Sequence, residues 1–225
     1  MLSGMKTCVL IPCYHEAERI AEVVRKCRRH VPSVLVVDDG SGDKTAEVAR
    51  QAGAQVLVHP VNQGKGVALN TGFDWAVAND FDAVITLDGD GQHDPAEIPR
   101  FLEAAADPHV HVVIGSRMTD VTTMPRIRRW TNRTTSRWVS RLGHIDVKDS
   151  QSGYRLIKTE VLRKVHVRSR RYDAESEILI KAGRAGFKVI EIPISTIYLG
   201  GKSSIHPVLD TVRFIKLVLR SLLTT

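Results

Sequence analysis

Two carboxylates spaced one residue apart, Asp88 and Asp90, close the short apolar run Ala83-Val84-Ile85-Thr86-Leu87, and Gln92 follows two positions later with glycines between. Residues at i and i+2 share one side of an extended chain, so the three side chains can present oxygens together. Hard oxygen ligands of this kind suit Mg²⁺ or Mn²⁺ bound with the help of a substrate phosphate. A polar turn after a strand uses the same residue types, so the rest of the chain has to decide. Two other polar clusters sit in the same relation to apolar runs. Tyr14 and Glu16 follow Cys8-Val9-Leu10-Ile11, and Asp38 and Asp39 follow Val34-Leu35-Val36-Val37.

The elements that must position these clusters alternate in type. Strands are predicted over Lys6 to Ile11, Val34 to Val37, Gln55 to Val58 and Ala83 to Leu87, and helices over Glu16 to Arg29, Lys44 to Ala52 and Gly66 to Asn79. Short buried strands separated by helices imply a mostly parallel sheet with helices on both faces. Ligands of such sheets lie beyond the carboxyl ends of the strands, where all three clusters fall. Asn62-Gln63-Gly64-Lys65-Gly66 opens the third helix. Its glycines permit close backbone approach, and Lys65 sits at a helix start, where anions are favoured. The longer glycine-lysine-serine pattern of a P-loop is absent.

Composition narrows the partners. The 225 residues fit one domain, and 43% are hydrophobic, enough for a packed core. A net charge of +7 favours an anionic partner. Aromatics are only 5% and carry no RNA-binding signature, so nucleic acid is not expected. Cys8, Cys13 and Cys27 lack zinc-type spacing and point to a reduced compartment. No apolar stretch is long enough to cross a bilayer, so a cytoplasmic chain, at most peripheral to the inner (cytoplasmic) membrane, is expected.

Ile11-Pro12-Cys13-Tyr14-His15-Glu16, Val37-Asp38-Asp39-Gly40-Ser41, Asn62-Gln63-Gly64-Lys65-Gly66 and Asp88-Gly89-Asp90-Gly91-Gln92-His93 occur in the order and spacing of a known family. Together they resemble a family 2 glycosyltransferase, from about Lys6 to His206. Within that family the chain is most similar to polyprenyl-phosphate sugar synthases of the dolichol-phosphate mannose (or glucose) synthase kind. The resemblance implies an α/β A-type glycosyltransferase fold, with a Rossmann-like sheet flanked by helices and amphipathic helices on the acceptor side. It also implies roles. Pro12, Tyr14 and Glu16 would hold the base and ribose of a nucleotide-diphosphate sugar of GDP-mannose or UDP-glucose type, and Asp38 or Asp39 would read the base edge or ribose. Lys65 and Gly89 would belong to the nucleotide-sugar site. Asp88 and Asp90 would hold Mg²⁺ or Mn²⁺ on the diphosphate, and Gln92 would complete its shell. A leaving nucleoside diphosphate gains negative charge as the glycosidic bond breaks, which is the physical need for that cation.

The second half reads as the acceptor side, so a single domain divides into about 6–118 for the donor, about 119–206 for the acceptor, and a 207–225 amphipathic helix. A strand is expected over Val110 to Ile114, followed by Arg117, which could contact phosphate. From Val121 to Ile145 there are six arginines and no acidic residue. On a helix at about 100° per residue, Ile127, Trp130, Thr134, Trp138 and Leu142 share one arc and Arg126, Arg133, Arg137 and Arg141 flank it. A basic amphipathic helix with two tryptophans is a membrane-interface pattern; a docked helix with a solvated basic face is the alternative. The resemblance makes Arg133 and Arg137 the ligands of a polyprenyl phosphate. It places Ser152 and Arg155, in Asp149-Ser150-Gln151-Ser152-Gly153-Tyr154-Arg155, on the acceptor side, Arg155 being equally able to serve structure. Glu175, at the start of a helix from Tyr172 to Gly183, stands where the family places a catalytic or sugar-orienting carboxylate. Glu177 is read as complementing the helix dipole.

Val189 to Ile194 reads as a late strand interrupted by Pro193, which suits an edge. The loop Tyr198-Leu199-Gly200-Gly201-Lys202-Ser203-Ser204 resembles one that closes over donor diphosphate, with Lys202 and Ser203 in contact. Pro207 to Leu222 reads as an amphipathic helix that could lie on a membrane, pack a homodimer or cover the domain. The expected chemistry is metal-dependent, inverting transfer of a sugar to a polyprenyl phosphate, with Asp90, Glu175 and Arg117 as catalytic residues. One alternative keeps the chemistry with a soluble or cell-envelope saccharide hydroxyl as acceptor and Glu175 as base. A sugar nucleotidyltransferase is the other, disfavoured because the first strand leads into Pro12-Cys13-Tyr14 and not a Gly-rich basic turn.

Overall fold

The computed structural model describes residues 4–118, 126–171, 173–195, 214–219 and 221–222. Seven strands form one sheet in the order β3-β2-β1-β4-β6-β5-β7. Their ranges are β1 Thr7–Cys13, β2 Ser33–Asp38, β3 Gln55–Val58, β4 Ala83–Thr86, β5 Val112–Ser116, β6 Arg155–Lys158 and β7 Val189–Pro193. Helices α1 Ile20–Arg28, α2 Thr45–Gln51, α3 Lys65–Ala78, α4 Ile98–Ala105, α5 Arg126–Gly143, α6 Thr159–Lys164 and α7 Ala174–Arg184 connect them. Residues 214–219 and 221–222 are helical as expected.

Both faces of the sheet are buried, which explains the continuous apolar runs. Alternate residues serve opposite cores: Cys8, Leu10, Leu35, Val37 and Val84 face one, and Val9, Ile11, Val34, Val36 and Ile85 face the other. Each fully buried Leu or Ile contributes about 1.5–3 kcal/mol relative to exposure. Gly72 of α3 lies so close to β1 that a Cβ there would stand 2.2 Å from Leu10 Cδ1.

β1, β2, β3 and β4 run parallel. β2 and β3 lie on one side of β1 and β4 on the other, so β1 and β4 flank the crevice where the order reverses, the usual ligand position of such sheets. Three elements, β6, α4 and α6, were not expected from the sequence. β6 runs antiparallel to both β4 and β5. Its direction has a functional consequence: Arg155, the first residue of β6, pairs with Thr86, the last of β4. The segment from Asp149 to Gly153 is thereby delivered to the same edge as the carboxyl ends of β1, β2 and β4. β7 is an edge strand ending at Pro193, paired in parallel with β5.

Candidate active site

Asp88 follows β4 and Leu87 at the sheet edge. Asp88, Asp90 and Gln92 do not line an extended strand as expected. The chain turns immediately after Asp88, and Gly91 has φ 75°, a left-handed conformation that favours glycine. The turn is fixed from within: the Gln92 N–H donates to Asp90 Oδ1 at 3.0 Å, and the Asp88 N–H donates to His93 Nδ1 at 3.2 Å. His93 is buried, packs on Tyr154, and Tyr154 stacks on Phe101. His93 is a site residue that the sequence reading missed; its signal was its place inside the carboxylate motif.

A lysine from the third helix closes the site. Lys65 Nζ lies 2.6 Å from Asp88 Oδ1 and 2.7 Å from Glu175 Oε1. One ammonium therefore bridges the end of β4 to the first turn of α7. Burial alone would raise the Asp88 carboxyl, but Lys65, His93 and Arg117 together outweigh it and hold the group at about 2. Burial would lower the Lys65 ammonium, and the two carboxylates raise it above its ordinary value. Glu175 is buried, and its Oε2 has no hydrogen-bond partner among the described residues. It lines a cavity of about 20 Å³ together with Pro12, Lys65, Asp88 and Gly153, room for about one water. Gly153 is pressed against this group: a Cβ there would meet Asp88 Oδ2 at 3.1 Å and Lys65 Nζ at 3.2 Å.

The glycines around Lys65 have a steric cause. Gly66 donates its N–H to the Arg170 carbonyl at 2.9 Å, and a Cβ on Gly66 would lie 2.2 Å from the Ser169 carbonyl oxygen. Gly64, at φ 100°, approaches the Arg170 carbonyl equally closely. Glu177 completes the junction by accepting from the N–H groups of Arg168 and Ser169 with Oε2 and pairing with Lys181 through Oε1. That anchoring of the 168–169 backbone goes beyond the dipole role expected for Glu177.

On the other flank, Tyr14 is exposed and edge-on to His15. Glu16 lies behind it; its main-chain N–H donates to Thr45 Oγ1, and its Oε2 is buried without a hydrogen bond, with Arg19 Nη1 at 3.5 Å. Burial, and then Asp90, raise the Glu16 carboxyl. Pro12 is buried in β1. Gly89 packs over Cys13, where a Cβ would come within 2.6 Å of the sulfur.

The structure separates the two aspartates after β2. Both oxygens of Asp39 are engaged: Gln63 N–H and His59 Nδ1 at Oδ1, and Gly64 N–H at Oδ2, at 2.7–2.9 Å. Asp39 thus anchors the Gly64 loop and is not left to read a base. Asp38 is also buried, with Oδ1 accepting from the Ser41 N–H.

Two arginines, Arg155 from the acceptor-side segment and Arg117 from the donor half, are engaged inside the fold. Arg155 is 1% exposed and spends its guanidinium on three main-chain carbonyls: Nε to Ser152, Nη2 to Ser150 and Nη1 to Glu175, at 2.5–2.7 Å. Burial draws it down to about 10. It is a clamp inside the fold and is not placed to hold an acceptor phosphate. Arg117 makes a two-pronged pair with the fully buried Asp149, so its planar face is fixed in the wall rather than extended toward a ligand. Ser152 is fully buried too. Asp149 is the hub here; Asn132 also donates to it at 2.8 Å.

Helix α5 turns out differently from its predicted arc. Asn132, Thr135, Ser136, Val139 and Leu142 are buried, whereas Trp130 is 70% and Trp138 44% exposed. Leu142 therefore belongs to the docked side, and the tryptophans share the outward side with Arg129, Arg133, Arg137 and Arg141. An open groove of about 620 Å³ is lined by Met118, Arg133, Arg137, Arg141, Asp146 and Lys148, among others. Met118 and Lys148 adjoin the Arg117–Asp149 pair in sequence. Lys202, Ser203 and their loop lie outside the described residues, as do Tyr172 and the side chains of Arg126, Ile127 and Arg128. Among the described residues no helix is long and apolar enough to cross a membrane.

Comparisons with known proteins agree with this geometry. The family model described as Glycosyl transferase family 2 matches residues 8–165. A polyprenol monophosphomannose synthase of Mycolicibacterium smegmatis is 32% identical over 204 residues, spanning 84% of this chain and 77% of that protein. A dolichyl-phosphate hexose transferase of Haloferax volcanii is 31% identical over 202 residues, spanning 88% and 86%. Among solved structures, glucosyl-3-phosphoglycerate synthase from Mycobacterium tuberculosis, in complex with Mn²⁺, uridine diphosphate and phosphoglyceric acid, superposes with a TM-score of 0.72 at 21% identity, covering 98% of this chain and 78% of that one.

Proposed function

Since the chain belongs to glycosyl transferase family 2 and is a glycosyltransferase of the A-type fold, we propose that it moves a sugar from a nucleotide-diphosphate sugar to a polyprenyl-type lipid phosphate, with inversion at the anomeric carbon. The observation that carries this reading is the outward side of α5, where Trp130 and Trp138 interleave with arginines over a cationic groove. Tryptophan suits the headgroup level of a bilayer, and arginine forms two-pronged contacts with phosphate. Relatives over most of the chain are named for polyprenol and dolichyl-phosphate substrates. The enzyme would be peripheral to the membrane, meeting it through this helix.

Residues at the sheet edge fit a divalent metal bound jointly with a diphosphate. Asp88 and Asp90 offer carboxylates and Gln92 an amide, and no cluster of three His, Cys, Asp or Glu side chains arranged for a metal occurs among the described residues. Such a donor set needs phosphate oxygens to complete it. A Mg²⁺ or Mn²⁺ ion held there would neutralise charge on the departing nucleoside diphosphate. Tyr14 would stack on the base, Glu16 would accept from the ribose, and Asp38, with fewer internal partners than Asp39, would be the carboxylate near the base.

The acceptor is anionic near neutral pH, so its oxygen attacks the anomeric carbon directly while the bond to the diphosphate oxygen breaks. No strong base is required. Glu175, with Oε1 held by Lys65 and Oε2 without a partner among the described residues, is read as orienting the donor sugar. The test is release of nucleoside diphosphate from a panel of GDP and UDP sugars with Mn²⁺ and a polyprenyl phosphate. Turnover with free saccharides but with no lipid phosphate would overturn the acceptor assignment.

A further inference from the structure

The donor site contains a cation of its own. Lys65 Nζ sits within hydrogen-bond distance of two carboxylates, Asp88 and Glu175, and only 18% of its side chain is exposed. It is held there from several directions. The loop bearing it is pinned by the Gly66 N–H on the Arg170 carbonyl and by the Gly64 N–H on Asp39. Gly153, having no side chain, lets the ammonium and Asp88 pack close against its backbone, and Arg155 Nη1 holds the Glu175 main-chain carbonyl. The oxygen that Lys65 occupies belongs to one of the two carboxylates that would receive the metal.

We propose that Lys65 is the resident counter-cation of the metal-free site and that it makes divalent-metal binding depend on the diphosphate. This rests on the donor-site reading above. An ion arriving alone must take Asp88 from an ammonium already in charge-assisted contact with it, and it must do so with few protein ligands. A diphosphate changes both terms. It supplies the missing oxygens, and it gives Lys65 a new anionic partner at the start of α3, where phosphate is favoured. Metal and donor would then bind as a unit, and a bare ion would not occupy the site between turnovers.

Mn²⁺ binding to the full chain, followed by the paramagnetic resonance signal of free Mn²⁺, tests this without any measurement of turnover. Wild type should bind Mn²⁺ weakly alone and at least about tenfold more tightly with GDP or UDP present, the equivalent of one charge-assisted contact. Lys65→Gln should bind Mn²⁺ alone about tenfold more tightly than wild type and show a correspondingly smaller gain on adding nucleotide. Lys65→Arg, which keeps the charge, should retain the nucleotide dependence. If wild type shows the nucleotide gain but Lys65→Gln binds Mn²⁺ alone no better, the role of Lys65 is refuted and the donor site stands. Should neither nucleotide alter Mn²⁺ binding to any of the proteins, the donor-site reading falls with it. A thermal melt of each variant controls for folding, and tight binding of Mn²⁺ alone by wild type would by itself refute the proposal.

Discussion

Arg117 and Asp149 form a two-pronged ion pair in the wall between the donor edge and the basic groove, with Nε on Oδ2 at 2.8 Å and Nη2 on Oδ1 at 2.9 Å. The Arg117 main-chain N–H donates to the same Oδ2, and Asn132 of α5 donates to Oδ1. Asp149 also has its own N–H on Glu191 Oε1. One buried residue thus joins the end of β5 and the helix α5 through its carboxylate, and β7 through its main-chain N–H. Through it, the orientation of the arginine-bearing helix is set relative to the sheet.

Asp149→Ala should accordingly cost about 3–5 kcal/mol, since it breaks an ion pair whose carboxylate is fully buried and also removes the acceptor of the Arg117 and Asn132 N–H groups. The pH dependence has a definite sign. Burial raises the Asp149 carboxyl, while Arg117 and Asn132 together more than reverse this and leave it below the usual range. A group depressed in the folded state contributes fully above the unfolded value, about 4, and its contribution is lost as pH falls toward the folded value. Thermal melts from pH 7 to pH 3 should therefore show wild type losing stability below about pH 5, with a shallower decline in Asp149→Asn.

Gly66→Ala should destabilise the junction between α3 and the 169–170 backbone. The added methyl would stand 2.2 Å from a carbonyl oxygen that cannot swing aside, and overpacking of this kind costs about 1–3 kcal/mol. Gly153→Ala is the informative contrast. Its methyl would meet Asp88 and Lys65 side chains at 3.1–3.2 Å, contacts that relax by a few tenths of an ångström. Urea unfolding should show little change for Gly153→Ala, while its donor KM rises as Asp88 and Lys65 shift.

Asp90→Asn separates chemistry from stability. Asp90 Oδ1 accepts the Gln92 N–H, a contact that an amide oxygen can still make. The melting temperature should stay within a degree or two of wild type, given that surface changes of this kind fall within about 0.5 kcal/mol. Transfer should fall by about 10²–10³, the loss typical of removing one group that stabilises developing charge.

The residues just past β1, β2 and β4 were legible because each follows a four- or five-residue apolar run, and parallel topology brings such ends together. The alternation of strands and helices carried most of the sheet for the same reason. β6 was not legible. Its first residue is Arg155, and an arginine reads as surface until its three carbonyl partners are known. For the same cause Arg155 stayed open between an acceptor-side and a structural role until those partners decided for the second. Helical spacing put Trp130, Trp138 and Leu142 in one arc, but it could not say that α5 would dock through Asn132, Ser136 and Val139. Small polar residues on a helix look solvated until a hub such as Asp149 gives Asn132 a partner. Equally, nothing in the spacing of Asp38 and Asp39 shows which of them turns back to hold Gly64.

Trp130 and Trp138 make no contribution to the core that their exposure would reveal. Replacing both with serine should leave the melting temperature unchanged and preserve transfer to a short-chain, water-soluble acceptor phosphate. Co-sedimentation with vesicles containing anionic lipid should weaken by about tenfold or more, as expected when the apolar part of an interfacial helix is removed. Unchanged sedimentation would assign membrane contact to another part of the chain.

Arg133 and Arg137 are four residues apart on the outward side of α5 and line the same groove. Helical side chains at that spacing are neighbours, so the two forks can converge on one phosphate. Neither forms an ion pair among the described residues, and Asp146 is the one carboxylate lining the groove. Arg133→Gln and Arg137→Gln should each raise the KM for a polyprenyl phosphate by about tenfold, the loss of one charge-assisted contact, while the donor KM stays unchanged. Because both are exposed, the penalty should shrink as ionic strength rises from 0.1 M toward 1 M, where the screening length falls from about 10 Å to about 3 Å. A rise in donor KM of equal size would place these arginines on the diphosphate and move the acceptor elsewhere.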